Sequence, residues 1–348
     1  MHWIQPSPVE SIDATSLDIN ASLFIKRESE LLTEKGASYG LYGGSKLRKL
    51  VLFTPDIIQK NDRSICTVGS EGSHHVLATV RFAQALGVSS HCLLTDQLHS
   101  PHSQQIYEQI RESATSITHV KLNHPKEFSH ALQQWKVDHT GYWIPTGGST
   151  PLSALGMCVG ALELKAQIDM GLMPNPNTIY IAVGSGSSFA GLQLGLHLGW
   201  ASTTRPQLVG IRVTPRVLVT KQRINRLIKR SAQLIHDRIN TCDPTLLDAI
   251  RVHTDWKNDT LWKNDSLWKN YILCGEQIGE GYAIPTMQST FALDWTSKQG
   301  IKLDPSYTAK AFAGLIAYEQ SIDTQDDRVV LFWHTHDERP LSETSRTK

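Results

Sequence analysis

From residue 64 onward, short runs of apolar residues alternate with stretches where apolar residues recur every three or four positions. A short apolar run bounded by turn formers fits a buried strand, and the longer period fits a helix packed on one face. Residues 64–69 predict a strand and 73–87 a helix, with Val76, Val80, Ala83 and Leu86 turned inward. Further strands are predicted at 91–95, 117–122, 178–183, 207–213 and 329–334, and helices at 103–113, 126–135, 151–170 and 189–199. Repeated strand–helix alternation implies an α/β fold of parallel sheets covered by helices. Such folds gather ligands at the carboxyl ends of strands, where loops lead into helices.

One segment breaks this alternation. Residues 254–259 read TDWKND, 260–265 TLWKND and 266–271 SLWKNY. A six-residue period in three copies is too short for a solenoid unit. It predicts a duplicated insertion on a surface loop, since loops tolerate insertion. The alternative is a contact patch built from Trp256, Trp262 and Trp268.

The chain has 348 residues, 40% of them hydrophobic and 19% charged, which is ordinary globular composition and suggests about two domains. A formal net charge of +1 gives no global field to draw nucleic acid or anionic lipid. No apolar run approaches the roughly 20 residues that span a bilayer, and residues 1–18 lack an apolar signal core. Cys66, Cys92, Cys158, Cys242 and Cys274 are scattered and form no C-x-x-C pair. They read as reduced thiols of a cytoplasmic protein.

Three segments carry candidate chemistry at strand ends. Residues 183–191 (VGSGSSFAG) follow a strand and open a helix. Gly184 and Gly186 let backbone amides converge, Ser185, Ser187 and Ser188 offer hydroxyls, and the helix N-terminus favours an anion. No lysine follows the second glycine, so this is no Walker loop, and no acidic residue ends a second strand about 20 residues on, so a dinucleotide site is weakly supported. A phosphate monoester is the better guest. In residues 41–50 (LYGGSKLRKL), two glycines precede Lys46. Such a lysine is more often a solvated surface group, but in a desolvated phosphate site it can condense with an aldehyde. Residues 67–75 (TVGSEGSHH) place Ser73 at a helix N-cap. His74 and His75 are too close in sequence for one metal to take both rings easily, so no metal site is expected. Asp304 and Pro305 form a turn ahead of Tyr307 and a helix, and residues 331–336 (LFWHTH) release Thr335 at a strand end.

Taken in order, these segments resemble the 1-aminocyclopropane-1-carboxylate (ACC) deaminase/D-cysteine desulfhydrase group of pyridoxal 5′-phosphate (PLP) enzymes, within the tryptophan-synthase-β-like superfamily (fold type II). The resemblance runs from about residue 24 to 340. Residues 23–28 (LFIKRE) resemble the group's opening strand, and 43–50 its Gly-Gly-x-Lys-x-Arg-Lys-Leu motif, whose first lysine carries the cofactor. That implies a Schiff base at Lys46, not Lys49. Residues 144–149 with Pro151, Leu152 and Gly156 resemble the Pro-x-Gly-Gly-Ser segment, and 183–191 the phosphate loop; 280–282 and 304–310 complete the set. The resemblance implies a large cofactor-binding domain from residues 1–48 and 161–348, with a small domain at 49–160. It also implies a homodimer and a small amino-acid substrate.

The resemblance further implies that Lys46 shuttles a proton near the substrate Cα, that Ser73 meets the substrate carboxylate and that Tyr307 faces the substrate. Thr335 stands near the pyridine nitrogen, where a neutral partner leaves that nitrogen less protonated than an aspartate would. Thr308, expected among the cofactor-binding residues, falls where ACC deaminases have Glu and desulfhydrases Thr. This points to β-elimination from D-cysteine or a related amino acid, giving pyruvate, ammonia and sulfide. Several positions depart from the group: Ser45 and His74 stand for Asn, and Ser187, Ala309 and His336 for Gly. His74 falls where that Asn contacts the cofactor's ring hydroxyl. ACC deamination, or PLP binding with little catalysis, are the alternatives. A nucleotide-binding reading rests on residues 184–191 alone.

Overall fold

The computed structural model describes residues 6–31, 42–59, 63–121, 125–200, 204–238, 269–281, 283–323, 327–339 and 341. The tryptophans of the hexapeptide repeat, Cys242 and Tyr282 lie outside them. Two sheets organise the chain. The larger contains β1 (Val9–Ile12), β2 (Ala21–Arg27), β7 (Thr178–Val183), β8 (Gln207–Arg212), β9 (Tyr271–Cys274) and β10 (Arg328–His334), in the order β1-β2-β10-β7-β8-β9. The smaller contains β3 (Ser64–Ser70), β4 (Ser89–Thr95), β5 (Ser116–Val120) and β6 (Tyr142–Ile144), in the order β5-β4-β3-β6. Every pairing is parallel except β1 with β2. Central β7 is buried along its whole length, which is why its sequence is almost continuously apolar rather than alternating.

Helices α3 (His74–Leu86), α4 (Pro101–Ser113) and α5 (Pro125–Asp138) serve the small sheet, after two short helices, α1 (Leu47–Leu50) and α2 (Thr54–Gln59). Around the large sheet stand α6 (Pro151–Asp169), α7 (Ser187–Gly199), α8 (Lys221–Arg238), α9 (Met287–Lys298) and α10 (Thr308–Gln320). One face of the large sheet packs Ile179, Ile181 and Leu331 against α6, α7 and α8. The other packs Tyr180, Val209 and Phe332 against α9 and α10. The expected domain division at residue 160 falls inside α6, whose Leu155, Met157, Leu162 and Leu164 all sit in the large-sheet core.

Local chemistry sets the helix ends. Ser100 and Thr150 cap α4 and α6 in capping boxes closed by Ser103 and Ser153, each with proline in the first turn. Helix α4 therefore begins two residues before the apolar spacing predicts. The sequence pattern does not predict helix α8, which is rich in Lys and Arg and whose buried apolar stripe is Ile224, Ile228, Ala232 and Ile235. Helices α6 and α7 approach at backbone distance. A Cβ at Gly191 would lie 2.0 Å from the Ala154 carbonyl oxygen, and one at Gly156 would lie 2.0 Å from that of Arg48.

Beneath the lysine turn lies a buried ion network. Arg48 donates from Nε to Glu28 (2.7 Å), from Nη1 to Glu163 (2.9 Å) and from Nη2 to the Ser7 hydroxyl (3.1 Å). Lys26 donates to Glu163 (2.6 Å), Gln167 (2.8 Å) and the Ser7 carbonyl (2.9 Å). Trp333 Nε1 closes the network on Glu28 at 3.1 Å. Burial opposes the Arg48 charge, but Glu163 and Glu28 outweigh it and hold its pKa above the ordinary value. Glu163 is likewise opposed by burial and is held below its ordinary value by Arg48 and Lys26. Removing one partner strands the others in a dry interior. Arg48→Ala is expected to lower unfolding free energy by about 3–5 kcal/mol, read as a shift in the urea midpoint.

Candidate active site at the strand ends

The chain turns sharply after Tyr42. Gly44 has φ +50°, and a Cβ there would lie 2.6 Å from the Thr335 carbonyl oxygen, so only glycine fits. That carbonyl accepts from Ser45 N (3.2 Å), while Asp337 accepts from Gly43 N (2.8 Å) and Gly44 N (3.3 Å). The buried Asp337 is held by Arg339. Lys46 closes this turn at the start of α1. Its side chain retains some exposed surface, yet protein atoms crowd its amine. Desolvation lowers its pKa, against the opposing pull of Asp304 and Asp337. Lys49, one turn on, is buried, and desolvation with repulsion from Lys46 brings its pKa to about 7. No hydrogen bond to either amine occurs among the described residues. Two desolvated amines side by side suit an aldehyde and an anion.

The serine–glycine turn after β7 forms the second wall. Gly186, at φ +93°, caps α7. The Ser187 hydroxyl is fully buried and has no hydrogen-bond partner among the described residues. An orphaned donor at a helix N-terminus is what an absent phosphate oxygen leaves behind. Ser185 is exposed and donates to the Gly147 carbonyl at 3.4 Å, and Ser149 donates to the Ser185 carbonyl at 3.2 Å. This brings the 144–149 segment onto the loop. A Cβ at Gly184 would lie 2.8 Å from Tyr307 Cε1, which places the tyrosine ring against the loop's first glycine. Ser188 is half-buried in the first turn of α7.

The third wall comes from the small sheet and from α10. Ser73 is buried, and its hydroxyl accepts from Val76 N, so it caps α3. His74 follows, buried, with both ring nitrogens engaged: Nδ1 lies 2.5 Å from the Tyr42 hydroxyl and Nε2 3.0 Å from His102 Nε2. The contact expected between His74 and a cofactor hydroxyl therefore competes with two existing partners. Its ring meets those of His336 edge-on at 5.2 Å and Tyr307 at 6.3 Å. His75 turns elsewhere, to Thr67 Oγ1 at 3.1 Å.

Asp304 accepts from the amides of Ser306, Tyr307 and Thr308 and from the Thr308 hydroxyl. Thr308 is thus fully buried with its hydroxyl already used. Burial opposes the Asp304 charge, but His336 and His74 outweigh it and hold its pKa far down. Lys310 donates to the carbonyls of Ile278 (2.7 Å) and Gly281 (2.9 Å), tying both residues to α10. Thr335 stands partly exposed just past β10. Sequence reasoning missed Tyr42 and His102 as site residues. His102 sits on α4 outside every motif, so only the fold reveals it.

A desolvated lysine, a serine–glycine loop with an unpaired donor and two largely parallel sheets covered by helices are what a PLP enzyme of fold type II requires. The family model described as "Pyridoxal-phosphate dependent enzyme" matches residues 1–336, and the chain belongs to that family. PLP is its cofactor. A Pyrococcus abyssi protein named putative 1-aminocyclopropane-1-carboxylate deaminase is 25% identical over 335 residues, spanning 94% of this chain and 88% of its own. A Klebsiella pneumoniae protein named D-cysteine desulfhydrase is 24% identical over 345 residues, spanning 95% and 91%. The crystal structure of an ACC deaminase homologue superposes with a TM-score of 0.70 at 22% identity, covering 97% of this chain and 91% of the other.

Two outcomes follow from this geometry. Gly184→Ala should push the Tyr307 ring off the loop and weaken PLP retention by about 1–3 kcal/mol, measured by cofactor dialysis. Acid should unfold the protein in two stages. Burial pushes His336 down to about 4 and His75 to about 3. Neutral imidazole in the fold gives stability that begins to be lost below about pH 6.5. Glu338 is opposed by burial but is drawn down to about 2 by His334, so its contribution is lost from about pH 4.5 toward pH 2. Circular dichroism against pH at fixed temperature reads both stages.

Proposed function

We propose that the chain is a cytoplasmic, homodimeric lyase that eliminates the β-substituent of D-cysteine or a closely related amino acid, releasing pyruvate, ammonia and sulfide. The observation that carries this reading is the desolvated amine of Lys46 beside Asp304 and His74. An amine of lowered pKa is a nucleophile toward an aldehyde and a base toward a Cα proton. PLP bound there supplies an electron sink for charge developing at the substrate Cα.

The chain's own groups do the rest. Gly184, Ser185, Gly186, Ser187 and Ser188 hold the phosphate, with the N-terminus of α7 behind them. Lys46 takes the Cα proton. Ser73, at the N-terminus of α3, receives the substrate carboxylate, and Tyr307 closes the site over the loop. Thr335 gives the pyridine nitrogen a neutral neighbour, which limits its protonation. Thr308 in place of Glu supports the elimination over ring-opening deamination. No disulfide joins cysteines among the described residues, which supports a reducing compartment.

ACC deaminase activity is the second reading, supported by the name of the Pyrococcus abyssi relative. A third, cofactor binding with little turnover, is supported by the two partners already held by His74. Purified protein should absorb in the visible, and borohydride should fix the cofactor to the peptide containing Lys46. Lys46→Ala should lose that absorbance. Incubation with D-cysteine should release sulfide and pyruvate in equal amounts, whereas 2-oxobutanoate from ACC with no sulfide would select the second reading. Visible absorbance without turnover of either amino acid would select the third.

A further inference from the structure

The contacts around His74 constrain where its protons lie. Two Nε2 atoms 3.0 Å apart, on His74 and His102, hold one proton between them. The Tyr42 hydroxyl, 2.5 Å from His74 Nδ1, either gives or takes the proton on that side. Tyr42 is fully buried, and burial with the nearby Asp337 and Asp304 pushes its pKa far up, so it stays a phenol. When His102 is neutral, the arrangement that uses every proton runs one way: Tyr42 donates to His74 Nδ1, His74 donates from Nε2 to His102, and His102 carries its proton on Nδ1. When His102 is protonated, its Nε2 becomes a donor. His74 must then accept at Nε2, carry its proton on Nδ1 and donate to the Tyr42 oxygen. The phenol hydrogen is thereby released from His74.

We propose that Tyr42, His74 and His102 form a proton relay between the first turn of α4 and the cleft that contains Lys46. His102, partly exposed, is the entry, while Tyr42 and His74 are buried. One passage moves one proton. His102 Nε2–H transfers to His74 Nε2, the His74 Nδ1 proton transfers to Tyr42, and the phenol hydrogen passes to the substrate sulfur as the Cβ–S bond breaks, so that the sulfur keeps the bonding pair and leaves protonated. His102 ends neutral, and Tyr42 takes and gives in one event without standing as phenolate. A solvent proton taken up at His102 Nε2, with His74 returning from its Nε2–H to its Nδ1–H tautomer, then resets the chain.

The surroundings fit this role. The rings of His336 and Tyr307 meet His74 edge-on and hold its plane, and Tyr42 lies stacked 6.1 Å away. The charged groups acting on His74 are Asp304, which favours a proton on the cluster, and His336, Lys46 and His102, which disfavour one. His102 feels burial and the opposing pull of Asp304. Asp304, fixed at the start of α10, is thus the counter-charge for a proton travelling through the imidazoles. An asparagine amide at position 74 could hold the hydrogen bonds but could not pass a proton.

The use of the relay in turnover rests on the lyase reading, whereas its existence does not. Full-length holoprotein labelled with ¹⁵N-histidine, assigned by single His→Gln variants, reports each tautomer. At alkaline pH the proton should sit on Nε2 of His74 and Nδ1 of His102. As His102 titrates, His74 should change to the Nδ1 form with the same midpoint, and in His102→Gln that midpoint should vanish. With D-cysteine, His102→Gln should lower kcat by about tenfold or more, leave KM within about twofold, and remove the limb that depends on His102 from the pH profile. A His74 tautomer that ignores the titration of His102 would overturn the relay, as would an unchanged profile in the variant. Absence of any turnover by the wild type would defeat the lyase reading alone, since the tautomers still decide the relay.

Discussion

The cleft depends on a charge almost wholly withdrawn from solvent. Arg48 lies two residues beyond Lys46 and joins the turn after β2, α6, the segment before β1 and β10 through Glu28, Glu163, Ser7 and, by way of Glu28, Trp333. A guanidinium is suited to this because its fixed fork of donors serves several acceptors at once and it does not shed its proton on burial. Lys26 could not replace it: desolvation lowers the Lys26 pKa even beside Glu163. The network fixes where the lysine turn begins, and the close contact of Gly156 with the Arg48 carbonyl fixes how α6 lies against it.

The same economy recurs at Asp304. One carboxylate caps the start of α10, positions Tyr307 and faces Lys46, His74, His102 and His336. Structural capping and electrostatic control are therefore not separable at this residue. The departures at positions 74 and 336 also belong together. Each looks isolated in the sequence, but the two rings touch, and both answer to the same carboxylate.

Much of the framework was legible in the sequence because its strands are short apolar runs with glycine or serine at their ends. The strands at 64–69 and 178–183 and the helices behind them appear within one or two residues of expectation. The opening strand β1 was not visible, since VESI is too short and too polar to stand out, and its antiparallel pairing with β2 is set by tertiary contact. Lys46, Ser73, Tyr307, Thr335 and the serine–glycine loop could be singled out as candidates because their neighbours form motifs. Tyr42 and His102 could not, because the property that matters is a 2.5 Å or 3.0 Å approach across 32 and 28 residues of chain. Thr308 shows the opposite limit: its identity is informative, yet its hydroxyl is spent on Asp304.

The close glycine contacts that α6 makes with α7 and with the lysine turn have a mechanical consequence. With backbone against backbone at Gly191 and Gly156, the lysine turn, α6 and the phosphate-loop helix behave as one stiff block. Ser73 and His74 ride instead on α3 and the four-stranded sheet. A swing of that sheet toward the block would narrow the cleft while the lysine turn and the serine–glycine loop stayed still.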